Sequence, residues 1–144
     1  MKITGVTFIA LNPAGAMLMQ LRDAHSERYP NMWCFPGGTI DSNEEPSETV
    51  IREIKEEYEL VIKESDCTEL MVYNLPYGVS AKVYVCRLAQ GQTPVLNEGA
   101  DMKWMEMEEI EKLQLGFGQQ VILPELKEYL QHGRADIHTK DRTA

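Results

Sequence analysis

The chain has 144 residues, 43% of them hydrophobic, with ten glycines and seven prolines spread along it. That composition fits one ordinary domain that buries a core without metal or disulfide staples, and it excludes a disordered, collagenous or low-complexity chain. A formal net charge of −9 excludes the basic patch that a nucleic-acid polymer or an anionic membrane surface requires, so a phosphate-bearing substrate would need a mediating cation.

Lys2 precedes the run I-T-G-V-T-F-I-A-L, which is short, interrupted and rich in β-branched residues. It reads as a strand rather than a signal peptide, and no stretch approaches transmembrane length. Residues 17 to 22, M-L-M-Q-L-R, read as its hairpin partner across the turn N-P-A-G. The segment from Asp23 to Asn31 is polar and expected to be mobile. Met32 to Phe35 is a short apolar run halted by Pro36-Gly37-Gly38.

Pro46 suits a first helical position, and Glu44, Glu45 and Glu48 suit the positive end of a helix dipole, so a helix begins there. Advancing about 100° per residue, Val50, Ile51, Ile54 and Tyr58 gather on one core-facing side. Glu53, Glu56 and Glu57, spaced i, i+3 and i+4, share another flank, where like charges cost roughly 0.2–0.5 kcal/mol per pair. Arg52 and Lys55 fall towards the outer side of the wheel and are expected to offset this only in part. A solvated acidic face is the ordinary reading of such residues. Uncompensated carboxylates, an arginine before them and a Gly-Gly turn upstream favour a hard divalent cation held by oxygen ligands.

Further along, Glu69 to Tyr73 and Ser80 to Leu88 read as strands, with another around Trp104. Met107 to Leu113 reads as a short helix and Gln119 to Leu130 as a longer one, since Val121, Leu123, Leu126 and Leu130 keep helical spacing. Residues 1–131 form one expected domain and residues 132–144 a polar tail. Cys34, Cys67 and Cys86 are odd in number and lack close-paired spacing, which implies neither a disulfide framework nor a zinc site, and a reducing, cytoplasmic setting. His25, His132 and His138 lie in polar segments without partner spacing.

The span Gly38 to Leu60 resembles the Nudix box: Gly, five residues, Glu, seven residues, Arg-Glu, an aliphatic, any residue, Glu-Glu, any residue, Gly, an aliphatic. The slots are filled by Gly38, Glu44, Arg52, Glu53, Ile54, Glu56, Glu57, Glu59 and Leu60, with Glu59 standing where the family has Gly. The lead-in Trp33-Cys34-Phe35-Pro36-Gly37 is similar to the W-x-F-P-G of MutT-like members. This resemblance implies an α/β fold, an α/β/α sandwich with a mixed β-sheet, and Mg²⁺-dependent cleavage of a pyrophosphate linkage, with Mn²⁺ as a substitute ion. Carried over by position, Glu53, Glu56 and Glu57 would be metal ligands together with the Gly37 carbonyl. Arg52 would orient the carboxylates and Glu44 would support them. The base would be Glu53, with Glu98 as rival base or further ligand. Gly38 would line the substrate site.

The resemblance points to a nucleoside triphosphate or related nucleotide, cleaved to a monophosphate and pyrophosphate by a monomer or homodimer. Arg22, at the end of L-M-Q-L-R, would approach substrate phosphate, Gln119 would read the base, and Phe35, Tyr77 or Phe117 would stack on it. The alternatives are a nucleotide-sugar pyrophosphatase of the ADP-ribose type, to which Pro76 in P-Y-G is a weak pointer, and a non-catalytic nucleotide-binding module. The box glutamates, all four kept, argue against the module. Glu59 leaves open how the helix ends, because the left-handed conformation usual for that Gly costs another residue roughly 1 kcal/mol or more.

Overall fold

A computed structural model describes residues 2–132; His132 closes the last helix, and the rest of the expected tail lies outside the described residues. The strands are β1 (Ile3–Leu11), β2 (Met17–Leu21), β3 (Trp33–Cys34), β4 (Gly37–Thr39), β5 (Cys67–Asn74), β6 (Ser80–Arg87) and β7 (Asp101–Met105). The helices are α1 (Pro46–Tyr58), α2 (Met107–Ile110) and α3 (Leu123–His132). All seven strands join one sheet. Its central strand β1 runs parallel to β6, while the other pairings are antiparallel, so the sheet is mixed.

β1 is covered on both faces, which is why it reads as a nearly unbroken apolar run. Val6, Phe8 and Ala10 meet Val50, Ile54 and Tyr58 of α1, and Ile9 and Leu11 face Ile110, Ile122, Leu126 and Tyr129 on the far side. Alternate residues of one strand thus glue a helix to either face, and the α/β/α sandwich follows.

The hairpin forks as it leaves its turn. Leu11 pairs with Met17, but further along β1 it is β4 that takes the pairing, with Thr7 opposite Gly37 and Val6 opposite Gly38. β2 turns instead to β3 and β7. A cavity of about 460 Å³ opens at this fork, bordered by Thr7, Gln20, Arg22, Gly37, Gly38 and Glu98.

Three expectations need correction. The last helix does not begin at Gln119: a 3₁₀ segment spans Gly116–Ile122 and the α-helix starts at Leu123, because Phe117 (φ 60°) and Gly118 (φ 67°) are left-handed and break the helical path. Met107 to Leu113 is helical only as far as Ile110. The polar segment 23–31 is tied down, with the Arg22 N–H donating to the Met32 carbonyl (3.0 Å), the Ser26 N–H to the Asp23 carbonyl (3.2 Å) and the Arg22 Nε to the Arg28 carbonyl (2.9 Å).

α1 starts where Pro46 places it, with the Glu45 N–H donating to Glu48 Oε1 at 2.7 Å. It ends on Glu59 in the left-handed region (φ 55°, ψ 36°), whose N–H still reaches the Lys55 carbonyl at 2.9 Å. Asn97 stabilises this end from outside: its Nδ2 donates to the Glu56 carbonyl and to Glu59 Oε2, both at 3.0 Å, and its N–H donates to the Glu57 carbonyl at 3.0 Å. Glycine would hold the same backbone without strain and would remove a negative charge from the negative end of the dipole. Glu59→Gly is expected to raise unfolding free energy by about 1 kcal/mol, read from urea denaturation, with the lost Asn97 contact returning only a fraction of that at an exposed site.

Candidate active site

Arg52 is the hub of the acidic helix, not an outlying cation. Its guanidinium grips Glu44 with two bonds, Nε to Oε2 at 2.8 Å and Nη2 to Oε1 at 3.0 Å. Nη1 reaches Glu53 Oε1 at 2.7 Å and Glu56 Oε1 at 3.1 Å, and Nη2 reaches Asp41 Oδ2 at 3.3 Å and the Thr39 carbonyl at 3.3 Å. A helical wheel misses this because it records where a side chain leaves the backbone, and a long guanidinium curls back over its own turn. Hydrogen bonding from Arg52 and then from Thr49 holds the Glu44 carboxyl down at about 2, and the bond to Glu44 raises the Arg52 pKa further above its ordinary value. Glu44 therefore buttresses the arginine from behind the acidic flank.

Gly37 and Gly38 are required by close approach rather than by backbone freedom. A β-carbon on Gly37 would strike the Val6 carbonyl oxygen, and one on Gly38 would strike the Glu53 carboxylate. The second clash shows that Glu53 lies against Gly38 of β4, a residue that lines the cavity.

Glu57 lies outside the reach of Arg52. It is 7% exposed, and its Oε1 is a fully buried oxygen without a hydrogen-bond donor. Burial, then the neighbouring Glu53 and Glu98, push its pKa up to about 10. As ionised groups these three carboxylates have no proton to share, so Glu57 is satisfied only by keeping a proton or by receiving a cation. Glu98 is exposed and comes to Glu57 on a loop fixed at both sides, by the Asn97 bonds to α1 and by Gln20, whose Nε2 donates to the Glu98 carbonyl at 3.2 Å. Gln20 in turn accepts the Tyr58 hydroxyl at 2.6 Å. Neither Gln20 nor Asn97 carries a signal in the sequence, since each acts across the fold on a backbone group.

Among the described residues, no three His, Cys, Asp or Glu side chains converge as a finished coordination sphere. Glu56 is turned outward to Arg52, its side chain 59% exposed. Magnesium does not need such a sphere, because it keeps several waters and takes one or two carboxylates plus substrate oxygens. The orphaned Glu57 oxygen with Glu53 and Glu98 beside it fits that demand.

Two of the residues expected to meet a base are buried where the cavity meets the core. Phe35 is 1% exposed and part of the core. Gln119 is 2% exposed and both ends of its amide are engaged by Phe35: Oε1 accepts from the Phe35 N–H at 2.7 Å and Nε2 donates to the Phe35 carbonyl at 3.1 Å. Arg22, Tyr77 and Phe117, also expected near substrate, line the cavity too. Arg22 stacks on Phe117, 4.7 Å from guanidinium to ring centre, Tyr29 packs on the same ring at 4.7 Å, and Arg28 stacks on Tyr77 at 3.6 Å. Tyr29 (φ 53°), Asn31 (φ 60°) and Phe117 (φ 60°) all hold left-handed backbones here, a concentration of strain of the sort that ligand sites retain.

The NUDIX domain, as a family, matches residues 1–126. The chain belongs to the NUDIX family. Members of this family are hydrolases acting on phosphoric anhydrides and generally use divalent metal ions. The chain is 30% identical over 92 residues to a dihydroneopterin triphosphate diphosphatase of Haemophilus influenzae, a match covering 53% of this chain and 58% of that protein, so it spans little more than half of this Nudix relative. In fold it is similar to the NUDIX domain of Shewanella oneidensis NrtR in complex with ADP ribose (TM-score 0.73, 19% identity, 90% of this chain and 89% of that one). It is likewise similar to a MutT protein from Methanosarcina mazei Go1 (TM-score 0.70, 19% identity, 92% and 96%).

The two perturbed carboxyls have opposite consequences for stability. Glu44 contributes fully above the ordinary glutamate value of 4.5, and the contribution is lost as pH falls towards about 2. Folded Glu57 keeps a proton that the unfolded chain has already released, so in cation-free buffer stability falls as pH rises from 4.5 towards about 10. In chelator, the melting temperature of the wild type is expected to drop between about pH 5 and about pH 8, with a flatter profile for Glu57→Gln; millimolar Mg²⁺ should raise the wild type most at the higher pH and leave the variant nearly unmoved.

Proposed function

We propose that this chain is a Mg²⁺-dependent hydrolase that cleaves the pyrophosphate linkage of a nucleoside triphosphate or a related triphosphate, giving a monophosphate and pyrophosphate. The observation that carries this reading is the buried, donorless Oε1 of Glu57, flanked by Glu53 and by Glu98, which lines the cavity. A charge arrangement that destabilises the empty chain is explained by what it binds. Bound there, Mg²⁺ (or Mn²⁺ in its place) would neutralise phosphate oxygens and lower the cost of in-line attack by water.

Glu53, Glu57 and Glu98 would hold the ion, with the Gly37 carbonyl as a further oxygen, and Glu56 would join when its contact with Arg52 yields. Arg52 keeps Glu53 in place, and Glu44 keeps Arg52 in place. One Glu53 oxygen is bonded to Arg52, whereas Glu98 is exposed and bonds through its backbone, so Glu98 is the better placed acceptor for the proton of the attacking water. Across the cavity Arg22 presents a cation to the phosphates, and Phe117, Tyr29 and Tyr77 offer flat faces to a ring system. Phe35 and Gln119 shape the floor.

A triphosphate is preferred to ADP-ribose because the curated relative at 30% identity is named for a triphosphate, while the ADP-ribose complex shares the fold at 19% identity. The test is phosphate and pyrophosphate release from a panel of nucleoside triphosphates, dihydroneopterin triphosphate and ADP-ribose, with and without Mg²⁺. Pyrophosphate is expected from at least one triphosphate, only with the ion. Glu57→Gln and Glu98→Gln should each lower kcat by roughly 10²–10⁴-fold, with Glu98→Gln retaining more of the Mg²⁺ thermal shift. Cleavage of ADP-ribose alone would overturn the substrate class, and a fully active Glu57→Gln would overturn the site.

A further inference from the structure

Cys67 and Cys86 are far apart in sequence but stand directly opposite one another on the antiparallel strands β5 and β6. Opposed residues on such strands put their side chains on the same face, with α-carbons about 4.5–5.5 Å apart. That separation falls within the roughly 4.4–6.8 Å window of a disulfide. Both thiols are free. Cys86 is fully buried behind α1, among Tyr58, Leu60, Ile62 and Leu88, whereas Cys67 is half-buried at the margin of that cluster, on the edge strand, with its Sγ 3.5 Å from the Lys63 carbonyl oxygen. Cys34 is buried on β3, opposite Gln20 of β2.

We propose that Cys67 and Cys86 form a reversible thiol–disulfide site, with Cys67 as the accessible attacking thiol and Cys86 as the resolving one. The partner reactant is a low-molecular-weight disulfide. The Cys67 sulfur attacks one sulfur of that disulfide, breaking its S–S bond and releasing one thiol. Cys86 then gives up its proton, and its sulfur displaces the second thiol from Cys67. Two protein thiols are oxidised by two electrons, and one disulfide is reduced to two thiols; a dithiol reductant reverses both steps. The neighbouring Cys86 side chain lowers the Cys67 pKa, which favours the attacking thiolate, although burial and the carboxylates of Asp66 and Glu64 oppose it. The cross-link fastens the edge strand to its neighbour at the open end of a hairpin whose closed end, at Tyr77, borders the cavity. Nothing in the hydrolase reading requires this pair.

The full chain is incubated with oxidised glutathione, quenched in acid, unfolded, alkylated and examined by mass spectrometry. The expected product has lost two hydrogen atoms, carries one alkyl group on Cys34, shows the Cys67 and Cys86 peptides joined, and regains three alkylatable thiols after dithiothreitol. Cys67→Ser should acquire no internal link. Three alkylated cysteines after the oxidant, a glutathione adduct that stays on Cys67, or a link between two chains would each overturn the proposal. Because the reading is covalent mass and not turnover, it stands or falls apart from the hydrolase assay.

Discussion

A helix flank with several carboxylates at successive turns repels itself, and this fold answers most of that repulsion with one guanidinium. Arg52 reaches Asp41, Glu44, Glu53 and Glu56. It does not reach Glu57, which faces inward among core residues. The remainder of the arrangement depends on that division. Neutralised acids can be solvent-facing and structural, while Glu57, buried and without a counter-charge, is driven to bind a proton or a cation. Removing the arginine would therefore disturb the site by freeing its neighbours, even though the guanidinium need never touch a substrate.

Much of this was legible from residue order. The i, i+3, i+4 spacing located Glu53, Glu56 and Glu57 on one turn-and-a-half of helix, Pro46 marked the start, and alternating and continuous apolar runs located most strands, whereas the Gly37–Thr39 strand reads as a turn. What sequence could not supply was the reach of long side chains and the effect of residues acting across the fold. Arg52 looked peripheral on a wheel and is central in space. Gln119 looked available and is locked to the Phe35 backbone. Gln20 and Asn97 hold the Glu98 loop through single polar contacts that no periodicity announces. Glu59 is instructive in another way. Glycine is the economical residue for a left-handed cap, but the backbone path is set by packing on both sides, and Asn97 supplies part of what the side chain's strain takes away.

The mouth of the cavity is built on a different principle from its acidic border. The border is rigid: β4 is clamped between β1 and Glu53, with no room for even a methyl group on either glycine. The mouth is assembled from stacked rings and guanidinium groups on loops, Arg22 with Phe117 and Tyr29, Arg28 with Tyr77. Stacking tolerates sliding and exchange of partners, whereas oxygen ligands around a small divalent ion do not. Glu53 and Glu57 are thus set on a helix, while the rings and guanidinium groups at the mouth sit largely on loops, which change more readily than the elements they join.

The parallel pairing of β1 with β6 sets an order of assembly. Gly5 lies opposite Ala81, so the central strand cannot complete its sheet until more than half of the chain exists. During synthesis the acidic helix emerges well before the strand that will flank β1, and its apolar side has only a partial surface to rest on. Closing so long a loop slows folding, because the entropy of bringing its ends together is lost before the contacts it brings are made. Glu57 is a solvated carboxylate in the unfolded chain and a buried one once α1 has packed on the sheet. The proposed cation site would then be a property of the folded molecule, because its buried carboxylate exists only there.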